Sequence, residues 1–337
     1  MSSKLPLTNQ TILVTGAGGF IASHLVERLV ALGAQVRAFV RYNSRNDPGL
    51  LRLLPPETFN ALEIIPGDLR DLRAVTAAMR GADVVLHLGA LIAIPYSYIH
   101  PYEVVETNVM GTLNVLLAAR ETGVGRLVHT STSEVYGTAL RVPIDEAHPL
   151  QGQSPYSASK IGADKIAESF YRSYDLPVVT LRPFNTYGPR QSARAVIPTI
   201  ITQALTQNVV RLGNLDARRD LTYVSDTVAG FLRAAETPGV EGDTINLGTG
   251  REVTIGDLAE EIIGQLGGQI GRRVEIEIDP NRLRPEKSEV QRLLSDNTQA
   301  RERLGWVPQV SLQEGLGRTI AWISEHLDRY RPSQYQL

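Results

Sequence analysis

The chain has 337 residues, of which 42% are hydrophobic and 21% are charged, and its formal net charge is −2. This composition is typical of a globular protein, and the near-neutral charge excludes a strongly basic nucleic-acid or membrane-surface protein. No apolar run reaches the roughly 18 to 20 residues of a transmembrane helix. The N-terminal residues lack the apolar core of a signal peptide, and the absence of cysteine excludes disulfides and thiolate metal sites. We therefore expect a cytoplasmic protein with no nucleic-acid, membrane or metal partner.

Short apolar strands alternate with helical patterns through the first half of the chain. Strands are predicted at residues 11–16, 35–40, 62–68, 82–90, 126–131 and 176–183, and helices at 20–33, 69–79, 102–123 and from 156 onward. Strands that are separated by helices form a parallel sheet covered on both faces, which explains their unbroken hydrophobicity. The pattern predicts an α/β fold with a doubly wound parallel sheet of the Rossmann type.

The regular alternation ends at about Pro183. Residues 182–195 are rich in Pro, Gly and Arg and are predicted to form a loop, and the following residues mix short helices and strands. We therefore divide the chain into a dinucleotide-binding domain, 8–183, and a smaller, mainly substrate-binding α/β part, 184–330. The apolar segment 244–248 predicts one more buried strand, so a segment of about 220–250 is expected to cross back to the first domain.

The segment TGAGGFIA connects the first strand to the first helix. Glycines at 16, 18 and 19 let the backbone turn tightly and approach a pyrophosphate at the positive end of the helix. The strand before it and the amphipathic helix after it make this a strong dinucleotide signal. The alternative is a glycine turn that serves only packing. The predicted cofactor contacts here are Gly16, Gly18, Gly19, Phe20 and Ile21.

The second strand ends in FVRYNSR, where an NAD-binding protein usually has an acidic residue for the ribose hydroxyls. This chain has Arg41, Ser44 and Arg45 instead. Because a guanidinium can pair with a 2′-phosphate, NADP is the predicted cofactor, with NAD as the alternative if these arginines are only a solvated loop. Asp68 follows the third strand, where it would hold the adenine amino group or cap the next helix.

Tyr156 and Lys160 are four residues apart and therefore share one face of a helix. An ammonium near a phenol is expected to lower the pKa of the phenol, so that a tyrosinate can accept a hydroxyl proton while the carbon gives up a hydride. Glu134 lies in STSEVYG, just after an apolar strand, where it is either a reacting acid or a surface carboxylate. His87 and His129 lie on predicted strands and are expected to be core or cleft histidines.

Five motifs together resemble the extended short-chain dehydrogenase/reductase family: TGAGGFIASH, STSEVYG, YSASK, RPFNTYGPR and RRDLTYVSDT. The similarity extends over nearly the whole chain, from about residue 11 to residue 322. Within that family, RYNSR, GALIAIPYSY, GPRQSARAVIPTI, RPEKSEV and LGNLDARRD look most like the nucleotide-sugar 4,6-dehydratases of the GDP-mannose and legionaminic-acid-pathway type.

The resemblance implies a reaction on a UDP- or GDP-linked hexose or N-acetylhexosamine. Such enzymes oxidise sugar C4, remove the C5 proton, release the C6 hydroxyl as water and return the hydride to C6, so the tightly bound cofactor is regenerated. In dTDP-glucose dehydratases an Asp–Glu pair divides the acid and base work. This chain has Ser133 at the position of that Asp, so Glu134 is expected to perform both proton transfers. Thr132 would hydrogen-bond the C4 hydroxyl beside Tyr156.

The resemblance also assigns binding residues. The nucleotide sugar would contact Tyr96, Ser133, Asn185, Arg194, Arg219 and Arg284. Besides the residues of the glycine turn and the second strand, the cofactor would contact Asp68, Leu69, Leu88, Gly89, Ala90, Asn108, Thr130, Tyr156, Lys160 and Pro183. Asn108 would support the proton network of Tyr156 and Lys160. Family members commonly dimerise through the helices of Asn108 and Tyr156, so a homodimer joined by a four-helix bundle is expected.

Three other functions stay open at this point. Arg194 aligns with an arginine that UDP-glucuronate decarboxylases use to hold the sugar carboxylate. Those enzymes also carry Thr, Glu, Tyr and Lys at the catalytic positions and begin by oxidising C4, but they then lose carbon dioxide. A 4-epimerase moves a hydride on and off C4 and has no need of an acid at Glu134. A catalytically idle NADP-binding sensor would need none of Glu134, Tyr156 and Lys160, so their presence favours an enzyme.

Overall fold

A seven-stranded parallel sheet forms the centre of the protein, which a computed structural model describes over residues 6–330. The first part of the chain contains strands and helices in alternation: β1 (Thr11–Thr15), α1 (Phe20–Ala31), β2 (Gln35–Arg41), α2 (Pro56–Asn60), β3 (Glu63–Gly67), α3 (Leu72–Met79), β4 (Val84–His87), α4 (Ile94–Ile99), α5 (Pro101–Val105), α6 (Gly111–Thr122), β5 (Arg126–Thr130), α7 (Pro155–Tyr174) and β6 (Val178–Pro183). This alternation confirms the predicted Rossmann-type α/β fold.

The later elements build two small sheets and a helical layer. They are β7 (Asn185–Tyr187), α8 (Val196–Thr206), β8 (Val209–Leu212), β9 (Arg218–Tyr223), α9 (Val224–Glu236), β10 (Thr244–Leu247), β11 (Glu252–Thr254), α10 (Ile255–Ile270), β12 (Glu275–Ile278), α11 (Thr298–Leu304) and α12 (Leu312–Glu325). One small sheet has the order β11-β9-β7 and the other pairs β12 with β8. Strand β10 returns to the large sheet beside β6.

The large sheet has the strand order β10-β6-β5-β4-β1-β2-β3. The chain therefore builds outward from β1 in one direction through β2 and β3, and in the other direction from β4. At the carboxyl ends of β1 and β4 the connections leave toward opposite faces, and this crevice is where open α/β sheets bind ligands. The fold thus places the glycine turn after β1 and the segment after β4 on the two sides of one crevice.

The strands are buried on both faces, which accounts for their continuous apolar sequence. Along β1, Ile12 and Val14 pack into a core that includes residues of α1 and α9. Leu13 points to the opposite face and packs into a second core with residues of α3 and α6. Within residues 6–330, no helix is long and apolar enough to cross a membrane.

Three local features differ from the sequence predictions. Helix α3 begins at Leu72 rather than at residue 69, because the Asp71 carboxylate accepts hydrogen bonds from the Arg73 and Ala74 amides as its N-cap. The helix predicted over 102–123 is divided by a π-helical turn, Glu106–Met110, between α5 and α6. The predicted loop after Pro183 contains β7, a three-residue strand that pairs with β9.

We predict that Gly16→Ala destabilises the fold strongly. Gly16 has φ +67°, and a Cβ atom there would lie 2.6 Å from the Gly89 Cα atom, a backbone atom that cannot move aside cheaply. Left-handed strain alone costs about 1–3 kcal/mol. The matched control is Gly264→Ala in α10, where a Cβ meets nothing within 4 Å and should stabilise by about 0.5–1 kcal/mol. Thermal unfolding of both variants checks this, and equal melting temperatures would contradict it.

Candidate active site

The glycine turn after β1 packs tightly against neighbouring backbone and leads into a helix whose N-terminus has no side-chain cap. A Cβ on Gly18 would lie 2.5 Å from the Pro48 carbonyl oxygen, so this glycine, like Gly16, lets two backbone segments meet. Gly19 is the N-cap of α1, and no side chain caps that helix. The amides of Phe20 and Ile21 therefore remain available to an anion at the positive end of the helix dipole. The turn serves packing and also fits a dinucleotide pyrophosphate.

The segment after β4 forms the other side of this crevice. The Gly89 amide donates to Thr15 Oγ1 at 3.1 Å, which ties the end of β4 to the end of β1. Leu88 and Ala90 flank Gly89 in the same segment. Asn108, buried in the π-helical turn, accepts from the Leu91 amide at 2.8 Å and donates to the Leu91 carbonyl at 2.9 Å and to Ser159 Oγ at 3.0 Å. Its contacts are thus with the β4 segment and with α7.

The residues predicted for a 2′-phosphate lie on the edge of this crevice. Arg41 ends β2, and Ser44 and Arg45 follow it, and all three are exposed. The Asn43 side chain organises the loop by accepting from the amides of Arg45 and Asp47. The Arg41 guanidinium lies 3.4 Å from a carboxylate oxygen of Glu103. The arginine therefore has an acidic partner that sequence reasoning did not identify.

Asp68 does not cap the next helix, because Asp71 does so. Its carboxylate is paired with the Arg70 guanidinium at 2.7 Å, and that guanidinium also contacts Glu106 at 2.9 Å. The hydrogen bond from Arg70 lowers the pKa of Asp68. Leu69 is buried against Gly111 and Gly89. An ionised carboxylate at the end of β3 fits the predicted contact to an adenine amino group, which remains an expectation.

Glu134 lies on a short 3₁₀ turn, Ser133–Tyr136, that follows β5. Thr132 begins this turn: its Oγ1 accepts a hydrogen bond from the Glu134 amide at 3.2 Å. Ser133 is buried, whereas Thr132 and Glu134 are only half-buried. The turn therefore holds the hydroxyl of Thr132 and the carboxylate of Glu134 next to each other at the carboxyl end of the sheet.

Helix α7 brings Tyr156 and Lys160 to this turn. Both side chains are buried, and the Thr132 side chain lies next to the Tyr156 hydroxyl. Lys160 Nζ donates to the Thr130 carbonyl at 2.6 Å. Burial raises the pKa of Tyr156, the polar contact with Thr132 opposes that rise, and the charge of Glu134 adds to it. The protein environment therefore does not supply the lowered phenol pKa that the sequence led us to expect.

A buried carboxylate, Asp164, lies one helical turn beyond Lys160. It accepts hydrogen bonds from His129 Nε2 at 3.1 Å, from Ser131 Oγ at 2.7 Å and from Arg182 at 3.0 Å. Burial lowers the pKa of Lys160 to about 8, while the negative charge of Asp164 opposes that fall. The sequence signal for Asp164 was its four-residue spacing from Lys160. The residues that donate hydrogen bonds to Asp164 lie far away in the sequence, so spacing could not identify them.

The predicted core histidines have no metal-site geometry. His129 contacts Asp164, and His87 bonds the hydroxyls of Thr15 and Thr112 at 2.7 and 3.1 Å. Burial lowers the pKa of both rings, so they are neutral side chains of the core. Across residues 6–330, no group of three or more His, Asp or Glu side chains is placed to hold a metal ion.

Two arginines predicted for the substrate meet at the carboxylate of Glu289. Arg219, buried on β9, forms an ion pair with Glu289 at 3.3 Å, and Arg284 lies 3.9 Å from the same carboxylate. Burial lowers the pKa of Arg219, and the negative charge of Glu134 is the largest effect that opposes this. Glu134 and Arg219 are therefore electrostatic neighbours. Arg284 Nη1 is buried and makes no hydrogen bond within the described part of the chain.

The other predicted substrate residues lie on three separate segments of the chain. Asn185 begins β7 after Pro183, and its amide donates to the Asp220 carbonyl at 3.4 Å. Tyr96 lies on α4, and its hydroxyl donates to Glu103 at 2.5 Å. Arg194 lies in the exposed loop before α8, where its Nε is 3.3 Å from Ser192 Oγ.

Comparisons with known proteins agree with this arrangement. The family model described as GDP-mannose 4,6 dehydratase matches residues 13–319. The chain is 36% identical over 315 residues to a UDP-glucose 4-epimerase of Mycolicibacterium smegmatis, covering 91% of this chain and 96% of that protein. It is 33% identical to a dTDP-glucose 4,6-dehydratase of Streptomyces antibioticus, covering 95% and 94%. The crystal structure of DesIV, a dTDP-glucose 4,6-dehydratase of Streptomyces venezuelae with NAD and TYD bound, superimposes with a TM-score of 0.82 at 32% identity, covering 96% and 100%.

A parallel sheet with a glycine turn after its first strand and a Tyr–Lys helix beside it is typical of dinucleotide-dependent enzymes. The chain belongs to the extended short-chain dehydrogenase/reductase family of NAD(P)-dependent epimerases and dehydratases.

We predict that Asp164→Asn shifts the alkaline limb of the pH–rate profile to lower pH. A lysine with a pKa of about 8 is charged below that pH and loses its charge above it, so activity that needs the ammonium falls as the pH rises. Removing the Asp164 charge lowers the pKa of Lys160 further and moves this fall by about one pH unit. Asp164→Glu keeps the negative charge and should return the alkaline limb to its wild-type position. An alkaline limb that does not move in Asp164→Asn would contradict this effect of Asp164 on Lys160.

Proposed function

We propose that this protein is a nucleotide-sugar 4,6-dehydratase that forms an NDP-4-keto-6-deoxy-hexose. The observation that carries the proposal is the placement of Glu134. Its carboxylate lies on the turn that begins at Thr132, whose hydroxyl contacts Tyr156, and it is the electrostatic neighbour of Arg219. Reactions confined to C4 need no such acid. Dehydration needs a group that removes the C5 proton and protonates the C6 hydroxyl.

The first step is proton removal from the C4 hydroxyl of the sugar. The bound nicotinamide supplies hydride acceptance from C4 and hydride return to C6. Tyr156 takes the hydroxyl proton, and Thr132, which lies next to Tyr156, would hydrogen-bond the C4 oxygen. Because burial raises the pKa of Tyr156, a positive charge must offset it at the moment of reaction. The Lys160 ammonium, held by the Thr130 carbonyl, is the positive group of this chain on the same helix face.

The second step uses the acidity that the new C4 carbonyl gives to the C5 proton. Glu134 removes that proton and then donates it to the departing C6 hydroxyl. In the two-carboxylate dehydratases an aspartate performs part of this work, but Ser133 stands at that position here and is buried. One carboxylate must therefore act as base and then as acid, which requires the C5 proton and the C6 hydroxyl to lie on the same side of the sugar.

The diphosphate of the substrate would bind at Arg219 and Arg284. Guanidinium groups suit this role because their planar donors match phosphate oxygens. Arg284 Nη1 is buried with its hydrogen-bonding capacity unused in the described chain, which is costly unless a ligand fills it. Asn185 and Tyr96 would add contacts to the diphosphate and the hexose.

Two other reactions of the same site are the competing hypotheses. A 4-epimerase is the first, because relatives of that function match the chain at an identity similar to that of the dehydratases. A UDP-glucuronate decarboxylase is the second, because Arg194 stands where that reaction holds a carboxylate. An epimerase would not need Glu134, whereas decarboxylases also carry a glutamate at this position, so Glu134 argues against the first alternative and not against the second.

Product analysis in deuterated water separates the three reactions. The purified protein is incubated separately with UDP-N-acetylglucosamine, GDP-mannose and UDP-glucuronate. A 4-keto-6-deoxy product that carries solvent deuterium at C5 supports dehydration. Release of carbon dioxide with a pentose product, or a C4 epimer without a stable ketone, would replace the proposal by the corresponding alternative.

We predict that Glu134→Gln abolishes water loss but leaves slow oxidation at C4. The amide preserves the turn and its hydrogen bonds yet cannot accept the C5 proton, so a loss of about 10²–10⁴ in dehydration is expected. Transient absorbance of the reduced cofactor reports the C4 step, and product chromatography reports the dehydration. Glu121→Gln, at the exposed end of α6, is the control and should behave as wild type. Equal loss of both steps would contradict the role of Glu134.

For the cofactor we propose NADP rather than NAD, because Arg41 ends β2, Ser44 and Arg45 follow it, and no acidic residue occupies the end of that strand. The structurally similar dTDP-glucose 4,6-dehydratase DesIV was crystallised with NAD, so the preference for NADP over NAD must be measured on this chain. Tight binding of NAD together with weak binding of NADP would refute this choice.

We also propose a homodimer formed through α5, α6 and α7, with a four-helix bundle at its centre. Exposed apolar side chains on this surface include Tyr102, Val105 and Met110, of which Tyr102 is 79% exposed. We predict that Met110→Glu converts the dimer to a monomer in sedimentation velocity, because it buries a charge in the interface. Leu140→Glu changes another exposed apolar residue, which lies outside these helices, and is the control. A wild-type monomer would overturn the proposal.

A further inference from the structure

Arg41 is paired with a carboxylate that does not come from the dinucleotide-binding strands. Its Nη2 donates to Glu103 Oε1 at 3.4 Å, and Glu103 lies on α5. The other oxygen of this carboxylate accepts a 2.5 Å hydrogen bond from the Tyr96 hydroxyl. The Arg41 side chain is 64% exposed and that of Glu103 only 28%. The carboxylate is therefore the anchored member of the pair, and the guanidinium is the group that can turn toward a ligand.

Arg41 lies at the end of β2, next to the glycine turn that is expected to bind the cofactor. The end of β2 lies beside the glycine turn: the Ala17 amide donates to the Phe39 carbonyl at 3.2 Å, and the Leu50 amide donates to the Gly18 carbonyl at 3.0 Å. In dinucleotide-binding folds, the adenine ribose lies at this strand end. A 2′-phosphate would therefore approach Arg41 and meet the negative charge of Glu103 as well.

We propose that Glu103 is a cofactor-specificity residue whose carboxylate competes with the 2′-phosphate for Arg41 and so weakens the preference for NADP over NAD. The inference rests on the proposed use of Arg41 for the 2′-phosphate. Two effects act in the same direction: the ion pair must be broken before Arg41 binds the phosphate, and two anions are brought close together. Neither effect acts on NAD, which carries a hydroxyl at that position.

The contacts of Glu103 keep it charged and in place. The Tyr96 hydrogen bond lowers the pKa of Glu103, and the Arg41 charge acts in the same direction. Glu103 therefore has two side-chain partners, Tyr96 through one carboxylate oxygen and Arg41 through the other. Tyr96→Phe, which removes the anchor but keeps the charge, should relax the competition only in part.

The neighbouring turn offers a matched control. Glu106 lies three residues beyond Glu103 in the π-helical turn, and its carboxylate pairs at 2.9 Å with Arg70 rather than with Arg41. Glu106→Gln removes the same charge from nearly the same place in the sequence. It therefore separates competition at Arg41 from a general loss of negative charge around the cofactor site.

The test is calorimetric titration of the full chain, without sugar substrate, by NADP, NAD, 2′,5′-ADP and 5′-AMP. Glu103→Gln should tighten NADP and 2′,5′-ADP by about fivefold, the upper range of an exposed ion pair, and leave NAD and 5′-AMP within twofold of wild type. In an Arg41→Ala background, the same substitution should give a clearly smaller gain, because the two residues are coupled.

Three results would overturn the inference in a protein that binds both dinucleotides: an unchanged NADP-to-NAD ratio in Glu103→Gln, an equal gain in Glu106→Gln, or an undiminished gain in the Arg41→Ala background. If the wild-type chain binds neither dinucleotide, the proposed function fails, and this inference fails with it. Because the titrations contain no sugar, none of these outcomes depends on whether the reaction is a dehydration or an epimerisation.

Discussion

The buried carboxylate of Asp164 is the interaction on which the geometry of the site depends. It lies on the face of α7 that also carries Tyr156 and Lys160, and it receives hydrogen bonds from β5 through His129 and Ser131 and from β6 through Arg182. A buried charge is tolerated only when it is fully paired. Satisfying Asp164 therefore fixes how α7 sits against the ends of two strands, and with it the position of the Tyr–Lys pair. The same Arg182 reaches the Tyr136 hydroxyl at 2.9 Å, which links the network to the turn of Glu134.

Much of this fold follows from local patterns in the sequence. The alternation of strands and helices, the glycine turn and the four-residue spacing of Tyr156 and Lys160 are all short-range signals. The N-cap at Asp71 was also predictable, since an aspartate just before a helical pattern is a common signal for the start of a helix. The π-helical turn around Asn108 could not, because it depends on tertiary contacts with Leu91 and Ser159. Hydrogen bonds made across the fold override the helical spacing there.

The electrostatics of the site were the least predictable part. Spacing alone suggested that Lys160 would lower the pKa of Tyr156, yet burial raises it. The pairing of Arg41 with Glu103, and of Arg219 and Arg284 with Glu289, joins residues between 5 and 70 positions apart in the chain. No sequence pattern identifies such partners, since they arise only when separate elements meet at the carboxyl end of the sheet.

These ion pairs have a common physical logic. In the absence of the ligand, an arginine in a partly buried cleft loses part of its hydration, and this costs free energy unless another group compensates its charge. A nearby carboxylate provides that compensation, but it must then release the arginine when the phosphate arrives. The net affinity for an anionic ligand is therefore the free energy of the arginine–ligand contact minus that of the arginine–carboxylate pair that it replaces. A stronger pair with the carboxylate lowers the affinity for the ligand. In this protein Glu289 would have this effect on Arg219 and Arg284, the arginines proposed for the diphosphate, and Glu103 would have it on Arg41. Under these proposals, ligand selectivity depends on the acidic residues as much as on the arginines that contact the ligand.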